Sequence, residues 1–344
     1  MLKSRLHCFG ARQPRLRTVG RLTPCRVAST TPPPSKSAAF DDFVDYILVL
    51  QKDILKSAED LEITRGRQFV IDRWERDAAN PNAGYGITCV LDDGEVLEKA
   101  AANISVVRGT LSAQRAQAMS SRGRGSIDPR GGQPYAAAAM SLVFHSAHPL
   151  IPTLRADVRL FQVGGEAWYG GGCDLTPSYL DEQDTREFHR FWKDVCDEYK
   201  PELYGDLKDW CDRYFYIPAR KEHRGVGGIF FDDLSSNEAG FDVETFVRKV
   251  GDGILPSWLP IVARHRGEPF SDSQRQWQLL RRGRYIEFNL LYDRGIKFGL
   301  DGGRIESIMV SAPPLIAWKY NVVPEAGSPE DEVLKVLQKP RAWH

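Results

Sequence analysis

The chain has 344 residues with 46 basic and 46 acidic side chains, yet its charge is unevenly spread. Residues 1–40 carry Lys3, Arg5, Arg12, Arg15, Arg17, Arg21, Arg26 and Lys36 and no acid, so 46 − 8 = 38 basic groups face 46 acidic ones in the remainder, near −8. That balance argues against nucleic acid as a partner, because affinity for a phosphate backbone needs a basic surface. No apolar run is long enough to span a bilayer, so no integral membrane association is expected.

In chain order, residues 1–40 read as a transit peptide: rich in Arg, Ser, Thr and Pro and free of acids. The Val27-Ala28-Ser29 region suits processing of a chloroplast precursor in the stroma, with a mitochondrial presequence or a plain basic tail as alternatives. Residues 41–344 are then the folded domain. Asp41 to Trp74 carries Phe43, Ile47, Leu50, Ile54 and Leu61 at helical spacing and predicts one long helix or two shorter ones, with Asp41 or Asp42 as N-cap. The runs GITCVL and NISVVRG, separated by Asp92-Asp93-Gly94, predict an antiparallel hairpin. Residues 111–133, rich in Ser, Arg and Gly, are expected to be a mobile loop.

AAAAMSLVFH (136–145), VRLF and AWYGGG follow as strands, then a charged amphipathic helix from Leu180 to Tyr204. Phe241 to Leu259 and Gln274 to Arg282 read as helices, and 281–295, 297–303 and 304–311 as strands between glycine turns. A short tail helix is capped by Ser328. Cys89, Cys173, Cys196 and Cys211 have no metal-ribbon spacing and are expected to be buried free thiols. The pattern predicts a single α+β domain with a large, mostly antiparallel β-sheet flanked by helices on both faces.

Two stretches stand out chemically. In Lys208–Leu234, two aromatic, strand-like runs flank the cationic connection 218–225, which by composition is also compatible with a hairpin having a solvated tip. In Gly170-Gly-Gly-Cys-Asp174-Leu-Thr-Pro177, three glycines allow a close approach to the backbone and a single carboxylate follows. An acid and a proline at that point suit a cationic or N–H-donating ligand better than phosphate; a glycine bulge with Asp174 as a turn residue is the alternative.

These stretches resemble the oxygen-dependent coproporphyrinogen III oxidases. Lys208, Trp210, Cys211, Asp212, Tyr214, Phe215, Arg220, Glu222, Arg224, Gly225, Gly227, Gly228, Phe230, Phe231, Asp232 and Asp233 fit that family's signature. GGG-x-D-L-T-P, RGRYIEFNLLYDRG and the closing Pro340-Arg341-Ala342-Trp343 extend the resemblance over roughly residues 41–344. It implies oxidative decarboxylation of the ring A and B propionates of coproporphyrinogen III to vinyl groups, giving protoporphyrinogen IX in haem and chlorophyll biosynthesis. Dioxygen is the acceptor, no flavin, haem or nicotinamide cofactor is needed, and the protein is a homodimer. The resemblance casts Asp174 as acceptor of pyrrole N–H groups, and Ser141, Arg159, Gly302, Gly303 and Arg304 as substrate-binding, the arginines suiting propionates.

The chain departs from the family where its H-x-N-x-R segment reads Arg155-Ala156-Asp157-Val158-Arg159. Arg155 replaces the catalytic histidine usually cast as a proton donor, and Asp157 the substrate-binding asparagine; Ala219 replaces a second histidine. Arginine is a poor general acid or base, though it can hold a carboxylate. A tetrapyrrole-binding paralogue that has lost turnover is therefore the alternative. Of four histidines credited with a metal site in some members, only His145 and His189 remain, and no metal is expected.

Overall fold

The computed structural model describes residues 38–343 apart from Arg122, Gly123, Gly125, Asp301 and Gly302. Most of the expected transit peptide, with its cleavage region, lies outside the described residues. Helix α1 (Ala38–Glu59) already includes Phe40, which is buried, so the folded domain includes residues before position 41. It is followed by the strands β1 (Val70–Glu75), β2 (Gly84–Asp92) and β3 (Leu97–Thr110), then helix α2 (Ala113–Ser120). Strands β4 (Pro134–Ser146), β5 (Thr153–Val163) and β6 (Glu166–Thr176) precede helices α3 (Glu182–Asp197) and α4 (Leu203–Tyr214). Two short pairing segments, β7 (Tyr216–Ile217) and β8 (Glu222–His223), lead into β9 (Gly227–Leu234). Helices α5 (Ser236–Ala239), α6 (Val243–Gly253), α7 (Leu259–His265), α8 (Asp272–Leu291), α9 (Arg294–Leu300), α10 (Ile305–Met309) and α11 (Pro329–Gln338) complete the described chain.

The main sheet has seven strands in the order β1-β2-β3-β4-β5-β6-β9, every neighbouring pair antiparallel. Because side chains alternate across a strand, one face is apolar throughout: Ile104 and Val106 of β3, Leu142 and Phe144 of β4 and Val158 and Leu160 of β5 are buried. Phe43, Ile47 and Leu50 of α1, with Phe246 and Val250 of α6, join them in one core cluster. The opposite face is polar at its centre and carries α8 and α10. Val143 packs on Tyr285 and Ile286, and Thr88 lies 3.1 Å, oxygen to oxygen, from Ser307. The α+β antiparallel sheet with helices on both faces is thus the observed architecture.

Several local expectations are corrected. Of residues 281–295, 297–303 and 304–311, read as strands, the described parts contain the second half of α8 and the short helices α9 and α10 and no strand. The aromatic and β-branched residues of 281–289 misled: their buried members Arg281, Arg282, Tyr285, Ile286 and Asn289 recur at three- and four-residue spacing. Ser271 and Gln274 form a capping box that starts the helix. Gly283 survives mid-helix because a Cβ there would lie 2.6 Å from the Ala317 carbonyl.

Most of the first run of the 208–234 stretch is likewise helix α4, whose buried Leu203, Leu207 and Cys211 repeat every four residues; its end, Tyr216–Ile217, forms the short strand β7, and the second run is strand β9. Trp74, expected in a helix, lies in edge strand β1, and Asp41 sits in the first turn of α1 rather than capping it. The 180–204 helix breaks at Pro201 into α3 and α4, as proline interrupts a helix interior. The Phe241–Leu259 helix is found as α6, which ends at Gly253, before Pro256, with α7 beginning at Leu259.

The 111–133 segment carries α2, capped by Ser112, and a satellite core of Leu111, Ala116, Ile127, Val163 and Trp168. The Asp92-Asp93-Gly94 hairpin, the Ser328 cap and the four buried free cysteines are found as expected.

The β6–β9 pairing places the polar face of the sheet, and it depends on glycine. A Cβ on Gly228 would lie 2.0 Å from the Cys173 carbonyl oxygen and 3.0 Å from the Asp174 Cα, and one on Gly172 2.4 Å from the Ile229 carbonyl. Gly228→Ala therefore forces the edge strand β9 away from β6; it should destabilise the fold by about 2–3 kcal/mol, read as a lower midpoint in urea unfolding, whereas an unchanged midpoint would contradict this packing.

Candidate active site

Two cross-strand rows build the polar face. In one, Val143, Arg155, Asp174 and Gly228 stand opposite one another on β4, β5, β6 and β9; in the next, Asn103, Ser141, Asp157, Gly172 and Phe230 do so from β3 to β9. Arg159 pairs with Gly170 one step further along. The three glycines of β6 each make room for something different. A Cβ would meet the Arg159 guanidinium at 2.4 Å from Gly170, the Phe231 ring at 2.8 Å from Gly171 and the β9 backbone from Gly172. The register also shifts between Tyr169 and Gly171, so the bulge reading of this run holds alongside the close-approach one.

Along this face runs a chain of alternating charge. Arg224 Nη2 donates to Asp174 Oδ2 at 2.5 Å, and Arg155 Nη1 lies 3.8 Å from Asp174 Oδ1. Arg155 Nη2 meets Asp157 Oδ1 at 2.5 Å; Asp157 Oδ2 accepts from Arg159; Arg159 Nη2 lies 3.3 Å from Asp232, which Arg294 approaches at 3.7 Å. Arg224 and Asp174 are almost completely buried, with side chains 1% and 2% exposed. Aromatic faces support the cations: Arg224 sits 4.0 Å over Phe215 and 4.8 Å over Tyr285, and Arg155 5.4 Å over Phe215. Burial disfavours the charged form of Arg155, but the carboxylates of Asp157 and Asp174 outweigh it and raise its pKa above the ordinary value. Arg159 is raised in the same way, against burial, by Asp157 and Asp232. Arg155 is therefore a fixed cation, not a proton donor.

Two cavities flank Arg155. The larger, about 450 Å³, is walled by Phe161, Trp168, Tyr214 and Phe230 with Arg155, Arg159 and Arg294 and the acids Asp232, Asp233 and Asp293. The smaller, about 190 Å³, is lined by Ser141, Asn103, Arg224, Tyr285 and Asn289 among others. Both include Arg155, Asp293 and Gly295. Asp174 lies behind Arg155 and Arg224, and its Oδ1 is buried with no hydrogen-bond donor.

The structure thus brings together Asp174, Arg155, Asp157, Arg159 and Ser141. It does not bring Arg304 to them. Arg304 Nη2 pairs with Asp72 of β1 at 2.6 Å and lines a separate groove with Thr88, Val90 and Lys99 at the far edge of the same face. Gly303 turns back onto α9, its N–H donating to Gly299 at 2.8 Å, and Gly302 lies outside the described residues.

Sequence reasoning passed over Arg224, Tyr285, Asn289, Tyr214 and Arg294 as site residues. Arg224 carried a signal: it is the last cation of the 218–225 connection, placed directly before the glycine-rich apolar run that begins at Gly225. Other signature residues line the larger cavity, as Tyr214, Phe230, Asp232 and Asp233 do, or support the packing around it. Tyr214 stacks on Phe230 with ring centroids 4.3 Å apart, Trp210 meets Phe230 edge-on, and Glu222 pairs with Arg281 at 2.8 Å.

The two histidines lie in different settings. His189 Nδ1 is 2.8 Å from the Tyr204 hydroxyl and its ring stacks on Trp343. His145 is buried edge-on to Tyr285, with Nε2 3.0 Å from the Ser311 carbonyl oxygen.

Residues 42–343 match the family model described as coproporphyrinogen III oxidase. This chain belongs to the coproporphyrinogen III oxidase family. It is 46% identical over 289 residues to the human mitochondrial oxygen-dependent coproporphyrinogen-III oxidase, covering 82% of this chain and 63% of the human one. To the oxygen-dependent enzyme of Drosophila melanogaster it is 45% identical over 306 residues, 86% of this chain and 76% of that one. To the chloroplastic enzyme of Glycine max it is 43% identical over 291 residues, 81% and 73% of the two chains. The match to the human relative therefore spans less than two thirds of that protein's length.

Removing one partner of a buried ion pair strands the other. Arg224→Met leaves the Asp174 carboxylate without its hydrogen-bonded cation and should cost about 3–5 kcal/mol in urea unfolding; a loss below about 1 kcal/mol would mean that Asp174 is solvated as an exposed group is.

Burial, reinforced by Arg282, lowers the His145 pKa to about 3. The unfolded chain takes up that proton near pH 6.5. Stability should consequently fall as pH drops from about 6.5 towards 3, by up to about 1.4 kcal/mol per pH unit from this one group. The slope should shrink in His145→Gln, measured by urea midpoints across that range.

Proposed function

We propose that this chain is an oxygen-dependent coproporphyrinogen III oxidase, converting the propionates on rings A and B to vinyl groups and yielding protoporphyrinogen IX. At each propionate a hydrogen leaves the carbon next to the ring and the carboxylate leaves as carbon dioxide. The released electron pair reduces dioxygen, which takes two protons, one from solvent, to become hydrogen peroxide. The electron-rich porphyrinogen is itself the reductant, so no flavin, haem or nicotinamide is assigned to the site.

The observation that carries this reading is the buried Asp174 Oδ1, which has no hydrogen-bond donor while Oδ2 is held by Arg224. A carboxylate fixed on one oxygen and free on the other can accept pyrrole N–H groups in a poorly hydrated pocket, where such bonds strengthen. Reaching it requires the Arg155 guanidinium to swing aside, since that side chain stands between Asp174 and the larger cavity. Phe161, Trp168, Tyr214 and Phe230 offer apolar surface for a macrocycle, and a volume of about 450 Å³ suits a ligand of this class. Arg159 and Arg294 are placed for propionates, and Ser141 and Asn103 line the smaller cavity beyond Arg155.

Organelle import accords with the acid-free, arginine-rich first 40 residues and with relatives named mitochondrial and chloroplastic; we favour the plastid stroma. We assign a homodimer, supported by the exposed apolar residues Leu315, Trp318, Tyr320 and Val323 on the segment that follows α10.

The purified full chain, given freshly reduced coproporphyrinogen III in air, should form protoporphyrin after oxidation of the products, detected by fluorescence chromatography. Asp174→Ala should lower the rate by at least about 100-fold, and light scattering of the same preparation should give the mass of two chains. Formation no faster than without protein would remove the oxidase reading.

A further inference from the structure

Arg155 lines both cavities, and its two carboxylate contacts are unequal. Nη2 meets Asp157 Oδ1 at 2.5 Å, whereas Nη1 lies 3.8 Å from Asp174 Oδ1. The second contact is too long for a hydrogen bond. Both of its atoms are buried, Nη1 without an acceptor and Oδ1 without a donor. A buried donor left unpaired is costly, so Arg155 is held firmly on its Asp157 side and weakly on its Asp174 side.

Asp174 does not depend on Arg155 for its neutralisation. Arg224 donates to Oδ2 at 2.5 Å and is fixed over the rings of Phe215, Tyr285 and Phe288. Arg155 is less confined: its side chain is 17% exposed, against 1% for Arg224. Its guanidinium lies 5.4 Å over Phe215 and 5.9 Å over Phe230, and Phe230 is also a wall of the larger cavity. A turn towards that cavity therefore keeps an aromatic face beneath the cation and Asp157 as its pivot, while Asp174 stays paired with Arg224.

A ligand shifts a side chain between two positions only by binding one of them better. A carboxylate in the larger cavity does so, because it gives Nη1 the acceptor it lacks and forms a charge-assisted bond in place of a 3.8 Å contact. An uncharged group offers only the weaker neutral bond. We infer that Arg155 is a gate opened by the ligand's own carboxylate: a propionate entering the larger cavity draws the guanidinium off Asp174, and the uncovered Oδ1 accepts the pyrrole N–H groups. The inference rests on the tetrapyrrole reading given above and deepens it, since recognition of a propionate becomes the condition for reaching Asp174.

The test is fluorescence titration of the purified full chain at pH 8 with coproporphyrin III and with its tetra-amide, whose side chains have the same length and no charge. Wild type should bind the tetracarboxylate more tightly; equal affinities would overturn the inference. In Arg155→Gln the gate is missing. The tetra-amide should then tighten about tenfold, while coproporphyrin, deprived of one charge-assisted seat, should weaken about tenfold. A purely structural role for Arg155 would weaken both ligands together, so a folded variant whose affinity for the tetra-amide does not rise sinks the gate. Should Arg155→Gln not fold, Arg155→His, uncharged at pH 8, must show the same opposite shifts or the inference fails. Wild type that binds coproporphyrin while the opposite shifts are missing sinks only the role of Arg155. Wild type that binds neither ligand sinks the tetrapyrrole reading, and the inference with it.

Discussion

The contact between Arg224 and Asp174 is the constraint from which the rest of the polar face follows. A carboxylate with 2% of its side chain exposed cannot remain ionised in a protein interior without a cation and hydrogen bonds, because its desolvation costs several kcal/mol. Arg224 answers that need from the loop before β9, and is held in turn by the rings of Phe215, Tyr285 and Phe288. The aromatic residues of the signature therefore serve the carboxylate at one remove. They build the surface on which the guanidinium lies flat, and the guanidinium leaves one Asp174 oxygen for something else.

From that pair the alternation spreads outward. Arg155 sits between two aspartates, Asp157 between two arginines, and Arg159 between Asp157 and Asp232. Such a network has little freedom: each member is placed by the one before and after it, and exposure rises from the buried Arg224 to the half-open Arg294. The two departures from the family pattern, Arg155 and Asp157, belong together in this light. A cation added at one strand position is matched by an anion two residues on, where side chains share a face. The exchange leaves the local charge unchanged and alters what the face has to offer a ligand.

Glycine does the complementary work. Gly170, Gly171 and Gly172 take no part in binding through a side chain; their missing Cβ atoms leave space for a guanidinium, a phenyl ring and a neighbouring backbone. Gly228 does the same from β9 against Cys173. The acid at the end of the glycine run is positioned because the strands on both sides can close upon it.

Much of this was legible in the chain. The 3.6-residue spacing of Phe43, Ile47, Leu50 and Ile54 announced α1, the Asp92-Asp93-Gly94 turn announced its hairpin, GGGCD together with the RGVGGIFFDD run carried the family and marked Asp174, and the segment 155–159 marked Arg159. These are local signals, written in the order of residues. What the sequence could not decide was whether an aromatic, β-branched run such as 284–292 would lie in the sheet or on it, since buried helix and buried strand share composition and only packing on the face of β4 separates them. Nor could it pair residues distant along the chain. That Arg224 would neutralise Asp174, 50 positions away, and that Arg304 would turn to Asp72 at the sheet edge instead, are consequences of strand order and register. Charge pairing acts over a few ångströms, and only the folded chain says which charges are that close.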